Sequence, residues 1–323
     1  MPMADTTAVS RPGVRTAAPA WVRDGGVYVA LLALVLVNLV LTDNFVTLTN
    51  LRTQLVQVAP VMVVALGMAL VIGTEGIDLS VGSVMAIAAA VIPLWLGYGP
   101  LPAIAIAIVA GAACGLVNGG LVAFAGVQPI VATLALFVAG RGLALVLADG
   151  QLKDIRNPTL LALGEDSVAG IPILVIMAAA AALVLAFVMR RSTFGRHVVA
   201  VGGNRTAAFL AGLPVKRTLV TVYVISGVLA AIAGIMQTAR LQASDPSAIG
   251  VLIELSAITA VVVGGTPLSG GKVRILGTLA GALLIQLIRS TLISNNVPDS
   301  TAQMVLAAII VLAVAIQRRE AVR

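Results

Sequence analysis

The sequence predicts an all-α membrane protein, a polytopic inner-membrane helical bundle of about ten transmembrane helices with both termini in the cytoplasm. Of its 323 residues, 60% are hydrophobic and only 10% are charged, a balance that a soluble domain of this size would not show. The apolar residues form continuous runs close to the length of a membrane-spanning helix, instead of alternating as in a barrel strand. The basic residues gather in alternate loops, as they do in the cytoplasmic loops of membrane proteins.

The chain starts with a polar segment, residues 1–26, that is basic and rich in Ala, Pro and Thr. We interpret it as a disordered cytoplasmic tail. The apolar run 27–42 is not followed by a small-x-small cleavage site, so we interpret it as a span and not as a cleaved signal. The predicted transmembrane domain covers residues 27–317, and residues 318–323 form a second cytoplasmic tail.

Charge sidedness supports ten spans in this domain. With the N-terminus inside, fourteen of the twenty basic residues fall on inner segments, and the outer segments hold four basic and seven acidic residues. Removing or adding one span would place a basic cluster outside. The predicted spans are 27–42, 55–73, 82–96, 102–126, 129–148, 171–189, 218–238, 248–265, 275–293 and 299–317.

The rare residue types exclude several classes of site. Cys114 is the only cysteine and His197 the only histidine, which excludes an internal disulfide, a cysteine metal cluster and a two-histidine zinc helix. The net charge of +7 comes with only 3% aromatic residues, so nucleic acid is not an expected partner. We predict no catalytic residues, no metal and no cofactor.

Small and polar residues in the spans have different expected roles. Glycines at four-residue spacing, Gly111, Gly115 and Gly119 and later Gly277 and Gly281, indicate close helix packing. Polar groups at membrane depth cost free energy, so each is either an interhelical hydrogen bond or a substrate contact. The predicted pathway contacts are Asp78, Asn118, Arg141, Glu254 and Gln286.

Energy coupling is expected to come from another protein. Glu254 is the only carboxylate clearly within a span, whereas an ion-coupled carrier would hold several. Two glycine-rich breaks, 73–82 and 264–272, predict sharp turns at membrane depth, with Asp78 or Ser80 capping the helix after the first. The second break is not a P-loop, because Thr266 stands where a glycine is needed and Val273 follows the lysine. Any nucleotide must therefore bind to another subunit.

The inner loop 190–217 predicts a short helix over 204–212. Asn204 would be its N-cap, Gly212 its stop, and Pro214 would follow. From the residues alone, docking on a cytoplasmic partner and simple anchoring by positive charge are equally supported.

Five motifs are informative when taken together: Gly76-Ile-Asp-Leu-Ser-Val-Gly-Ser83, Gln128-Pro-Ile-Val-Ala-Thr-Leu134, Arg141-Gly-Leu-Ala144, Gly195-Arg-His-Val-Val-Ala-Val-Gly-Gly-Asn204 and Ala260-Val-Val-Val-Gly-Gly-Thr-Pro-Leu-Ser-Gly-Gly271. Together they resemble one family, the permease subunits of ribose-type sugar ABC importers, and within it the chain is similar to galactofuranose and ribose permeases. Glu75, Ser256 and Ala307 depart from the residues usual in that family.

The resemblance implies a monosaccharide permease that forms the translocation pathway beside a second copy or a paralogue. A cytoplasmic ATPase with two fused cassettes would drive it, and an extracytoplasmic sugar-binding protein would supply the sugar. It also implies that the inner loop docks on the ATPase, with Arg196, Asn204, Ala207, Ala208 and Gly212 as the coupling residues.

Two other functions remain open from the sequence. A secondary ion-coupled sugar carrier requires Glu254 or Asp78 to titrate during transport. An intramembrane enzyme, such as a lipid-linked sugar transferase, requires clustered acids or histidines, of which this chain offers few.

Overall fold

The computed structural model describes residues 20–42, 45–298, 300–305, 307–309 and 311, and nearly all of this part is helical. Residues 1–19 of the predicted tail 1–26, and all of the predicted tail 318–323, lie outside the described residues. The helices are α1 (Ala20–Leu41), α2 (Leu48–Gly73), α3 (Val81–Trp95), α4 (Pro100–Ala123), α5 (Pro129–Leu147), α6 (Pro158–Glu165), α7 (Ile173–Arg191), α8 (Thr193–Gly203), α9 (Arg205–Leu210), α10 (Val215–Leu241), α11 (Ile253–Val263) and α12 (Ile275–Ser294). A 3-10 turn, Leu96–Tyr98, extends α3, and residues 300–305 and 307–309 are also helical.

Seven of the described helices are long and apolar enough to cross a membrane: α2, α3 with its 3-10 turn, α4, α5, α7, α10 and α12. This confirms a polytopic, all-α membrane protein. Three further apolar helical segments, Gly25–Leu41, Ile253–Val263 and the described residues of 300–309, are shorter than a full span. The first helix begins at Ala20, inside the segment predicted to be a tail, because a helix once formed gains a hydrogen bond with each added residue.

The predicted span 248–265 is helical only over Ile253–Val263. Gly250 and Leu252 have φ angles of 76° and 58°, a left-handed conformation that a helix cannot include. An α-helix of 11 residues is about 16 Å long, roughly half of a hydrocarbon core. The chain therefore approaches α11 as an irregular segment within the bundle.

The centre of the bundle is α10, which packs against α2, α3 and α4. The predicted glycine face of α4 packs closely, and its partner is α10. A Cβ atom on Gly115 would lie 2.3 Å from the Tyr223 carbonyl oxygen, and one on Gly111 would lie 2.5 Å from that of Gly227. Gly281 meets Ala260 in the same way, so the second glycine pair joins α12 to α11.

Two helices begin in the middle of the bundle. The Asp78 carboxylate, just before α3, accepts a hydrogen bond from Ser226 Oγ at 2.8 Å, and Ser226 is near the midpoint of the 27-residue α10. A Cβ atom on Gly82 would lie 2.3 Å from the Gly250 carbonyl oxygen, so the segment before α11 reaches the same depth. The starts of α3 and α11 therefore meet at mid-depth, an arrangement of interrupted helices that is common at transport sites.

The two ends of the bundle carry different small elements. One end holds α6 and four short strands: β1 (Lys153–Asp154), β2 (Ser167–Val168), β3 (Ile171–Pro172) and β4 (Ala243–Ser244). Both pairs, β1 with β4 and β2 with β3, are antiparallel. The other end holds α8 and α9. Neither α6 nor α8 was predicted, since both are short and lie within loops.

Candidate functional site

A polar cleft opens where α2 begins and where α10 and α12 end, and α11 forms its fourth wall. Its volume is about 430 Å³. We name it the polar cleft; its polar lining residues are Gln54, Gln57, Gln237, Arg240, Ser256, Gln286, Arg289, Ser290 and Ser294. No carboxylate lines it among the described residues. It therefore offers amides, hydroxyls and guanidinium groups inside an otherwise apolar bundle.

A chain of side-chain amides crosses this cleft from α2 to α12. Gln286 Nε2 donates to Gln54 Oε1 at 3.0 Å and to Gln57 Oε1 at 2.8 Å. Gln54 in turn donates to the Ser290 hydroxyl. Amides both donate and accept, so the same groups can exchange these bonds for bonds to the hydroxyls of a ligand.

Arg240, in the last turn of α10, lines both the polar cleft and a smaller pocket of about 260 Å³, which Gly164 and Glu165 of α6 also line. Its Nε atom is buried and has no hydrogen-bond partner among the described residues. A buried donor without a partner is costly, so this guanidinium is well placed to bind an oxygen that enters the cleft.

A second polar cluster lies at mid-depth around Asp78, which is 2% exposed. Its Oδ1 accepts from Ser80 N at 3.0 Å and from Ser80 Oγ at 2.6 Å, and its Oδ2 accepts from Ser226 Oγ. Asn118 Nδ2 donates to Ser80 Oγ at 2.8 Å. Ser80 occupies the N-cap position of α3, but its side chain makes no capping bond. The cluster joins the first glycine-rich break to α4 and α10.

Arg141 and Glu254 lie near the segment before α11. Arg141 Nη1 donates to the Pro246 and Ile249 carbonyl oxygens at 2.6 and 2.7 Å. Glu254, in the first turn of α11, is 5% exposed, and its Oε2 has no hydrogen-bond partner among the described residues.

Of the five predicted pathway residues, Gln286 lines the polar cleft and Glu254 lies in the helix turn that borders it. Asp78, Asn118 and Arg141 instead lie in contacts between helices and loops.

The sequence reasoning missed several residues of the polar cleft, among them Gln54, Gln237 and Arg240. A signal was present in the spacing, because Gln54 and Gln57 share a face of α2, as Gln286, Arg289 and Ser290 share a face of α12.

The short helix predicted over 204–212 is confirmed as α9, Arg205–Leu210. Asn204 Oδ1 accepts a hydrogen bond from Ala207 N at 2.8 Å, which makes Asn204 the N-cap. Gly212 has a φ of 78° and follows the helix, as a left-handed C-terminal glycine does.

The surface of α9 is apolar at its tip, where Phe209 is 68% exposed and Leu210 is 79% exposed. Among the predicted coupling residues, Arg196, Asn204, Ala207 and Gly212 are exposed, whereas Ala208 is buried on the inner face of α9. Phe209 and Leu210 thus form an apolar tip on a short helix outside the membrane-crossing helices.

Comparison with known proteins assigns the chain to a family. The family model described as "Branched-chain amino acid transport system / permease component" matches residues 50–314. The chain belongs to this permease family. The permease is therefore a transport subunit and not an enzyme.

Its relatives include several sugar import permeases. The permease is similar to the ribose import permease protein of Escherichia coli (strain K12), with 37% identity over 95% of this chain and 98% of the relative. It is 39% identical to the fructose import permease protein of Bifidobacterium longum (strain NCC 2705), over 83% of this chain and 80% of the relative. It is 40% identical to the galactofuranose transporter permease protein of E. coli (strain K12), over 80% of this chain and 76% of the relative. The predicted family resemblance is confirmed, and no solved structure matches the permease.

Proposed function

We propose that the permease forms the membrane pathway of an ATP-driven importer for a monosaccharide such as ribose, galactofuranose or a related sugar. The observation that carries the proposal is the polar cleft, a space lined by amides, hydroxyls and guanidinium groups within an apolar helical bundle. The sugar names of the relatives support the same substrate class.

The polar cleft has a lining that suits weak binding of a sugar during passage better than tight binding. Its volume of about 430 Å³ falls within the range of small-molecule sites. Its described lining carries amide and hydroxyl groups that can bond to sugar hydroxyls, but no aromatic ring or carboxylate. A pathway must bind its cargo strongly enough to admit it and weakly enough to release it, and such a lining meets both needs.

The proposed orientation has ten spans in the cell inner membrane and both termini in the cytoplasm. It places the polar cleft and α6 on the outer side, where a sugar-binding protein would deliver its cargo, and α8 and α9 on the inner side. Gln57 and Arg289 at the cleft are exposed, and polar groups facing lipid are costly. A second permease copy, or a paralogue, would cover this face of the cleft, and lipid would surround the remainder.

The proposed ATPase contact is α9. Phe209 and Leu210 project from a short, capped helix and would fit an apolar groove on a cytoplasmic ATPase with two fused cassettes. Arg196, Asn204, Ala207 and Gly212 would contact the ATPase directly, whereas the buried Ala208 would support the helix from below.

Co-purification of the permease with its two-cassette ATPase tests this docking. Burying a phenylalanine contributes about 1.5–3 kcal/mol, so Phe209→Ala should lower ATPase retention by about tenfold or more. Phe187→Ala on α7 is a matched control, because Phe187 is also 68% exposed but lies on a membrane-crossing helix. Equal retention in both variants would contradict docking at α9.

ATP hydrolysis in the assembled complex tests the importer itself. Hydrolysis should rise when the sugar-binding protein is added with its sugar bound. A rate of ATP hydrolysis that does not change when the sugar-loaded binding protein is added would count against an importer and in favour of another transport mechanism.

A further inference from the structure

Resting on the proposed docking of α9, we infer that Gly202 is a positioning residue that transmits ATPase movement to both interrupted helices at once. Gly202 lies in the last turn of α8, and only Asn204 separates α8 from α9. We name the contact that it makes with Gly73, Gly270 and Gly271 the glycine junction.

Three backbone segments meet at the glycine junction without intervening side chains. Gly73 ends α2, and Gly271 lies in the segment between α11 and α12. Gly271 N donates a hydrogen bond to the Gly73 carbonyl oxygen at 3.1 Å. A Cβ atom on Gly202 would lie 1.8 Å from that same oxygen and 2.6 Å from Gly271 N. No larger residue fits there unless the three segments separate.

The surroundings of the junction are closely packed. A Cβ atom on Gly73 would lie 2.3 Å from Val273 Cγ2 and 3.4 Å from Val198 Cγ1. Val198, on α8, is fully buried. Closely packed groups have little room to absorb a displacement, so they pass it to their neighbours.

The segments held at the junction are those that lead to the interrupted helices. Gly73 is followed by residues 74–80 and then α3, whereas Gly271 belongs to the connection that leaves α11. The starts of α3 and α11 also touch each other at Gly82 and Gly250. Since α11 and α12 line the polar cleft, a movement of α8 would reach the cleft through the junction.

The test uses the complete complex of permease, ATPase and binding protein in proteoliposomes. Gly202→Ala should leave the ATPase bound and hydrolysing ATP, while sugar uptake per ATP falls by about fivefold or more, the usual size of a coupling between sites. Gly203→Ala is the control, because a Cβ atom there meets nothing within 4 Å. A purely structural role would lower yield, ATPase retention and uptake together.

A second variant removes a packing contact at the junction, whereas Gly202→Ala adds a methyl group there. Val273→Ala removes the γ-methyl group that packs against Gly73, and it should also lower uptake per ATP without releasing the ATPase. Its control is Val199→Ala, since Val199 lies on α8, the helix that carries Gly202, but is exposed. If Gly202→Ala fails to assemble, Val273→Ala decides the question by itself.

Uptake per ATP that matches the controls in both variants, with the ATPase still bound, would overturn the role of the junction and leave docking at α9 intact. Failure of docking would show separately, as full ATPase retention by Phe209→Ala. The two failures are therefore distinguishable.

Discussion

The polar cleft and the glycine junction both hold α2 against the α11–α12 region, but they do so with opposite chemistry. At the polar cleft, long side chains bridge the helices, as in the bonds from Gln286 to Gln54 and Gln57. At the glycine junction, backbone atoms touch directly, and Gly271 N bonds to the Gly73 carbonyl. Side-chain amides can rearrange around a ligand, whereas close-packed backbones move only as a unit. In the proposed mechanism, one end of the bundle recognises the sugar and the other end transmits the movement of the ATPase.

The largest expected effect comes from adding a methyl group at the glycine junction. In Gly270→Ala the new Cβ would lie 2.8 Å from the Gly202 carbonyl oxygen, at a φ of 73°. The left-handed backbone costs about 1–2 kcal/mol and overpacking costs about 1–3 kcal/mol more. The variant should unfold at a lower temperature in detergent than the unmodified permease.

Gly126→Ala separates these two costs. Gly126 has a similar φ of 68°, but a Cβ atom there meets nothing within 4 Å. If both variants lower the unfolding temperature equally, close packing at the junction contributes nothing to stability. The contrast between a close-packed junction and an adaptable polar cleft would then be wrong.

A smaller effect, on transport and not on stability, is expected at the polar cleft. Arg240→Met removes a guanidinium whose Nε has no hydrogen-bond partner among the described residues, so the unfolding temperature should stay the same or rise. Uptake should fall by about tenfold, the equivalent of one hydrogen bond of about 1.4 kcal/mol. Arg156→Met, at an exposed arginine of the same end, should change neither measurement. A fall in stability with normal uptake would show that Arg240 is structural.

The smallest effect is expected from Glu254→Gln, which replaces a buried carboxylate at the edge of the polar cleft by an amide of similar shape. Because ATP hydrolysis would supply the energy, uptake should change by no more than about twofold, less than a typical coupling effect. Its dependence on external pH should also be unchanged. Loss of uptake together with loss of a proton or sodium dependence would favour the secondary carrier instead.

The sequence predicted best what depends on local chemistry. The start and end of α9 follow from an Asn cap and a left-handed glycine, and the α4 face follows from glycines at four-residue spacing. The polar cleft could not be predicted in full, because its residues come from four helices whose rotations depend on packing. The junction glycines lie in segments that the sequence marks, the breaks 73–82 and 264–272 and the motif that ends at Asn204. Their contact could not be predicted, since the three segments are distant in the chain and meet through backbone atoms.

The Arg141 contact explains how an arginine can be placed among apolar helices. The segment before α11 consists of turns, in which the carbonyl oxygens of Asp245 and Ala248 accept hydrogen bonds from backbone amides. Arg141 supplies two such donations, to Pro246 and Ile249, from a side chain of α5. Carbonyl groups left bare in hydrocarbon would cost several kcal/mol each. The guanidinium thus takes the place of backbone amide donors at two carbonyl groups of this non-helical stretch of chain.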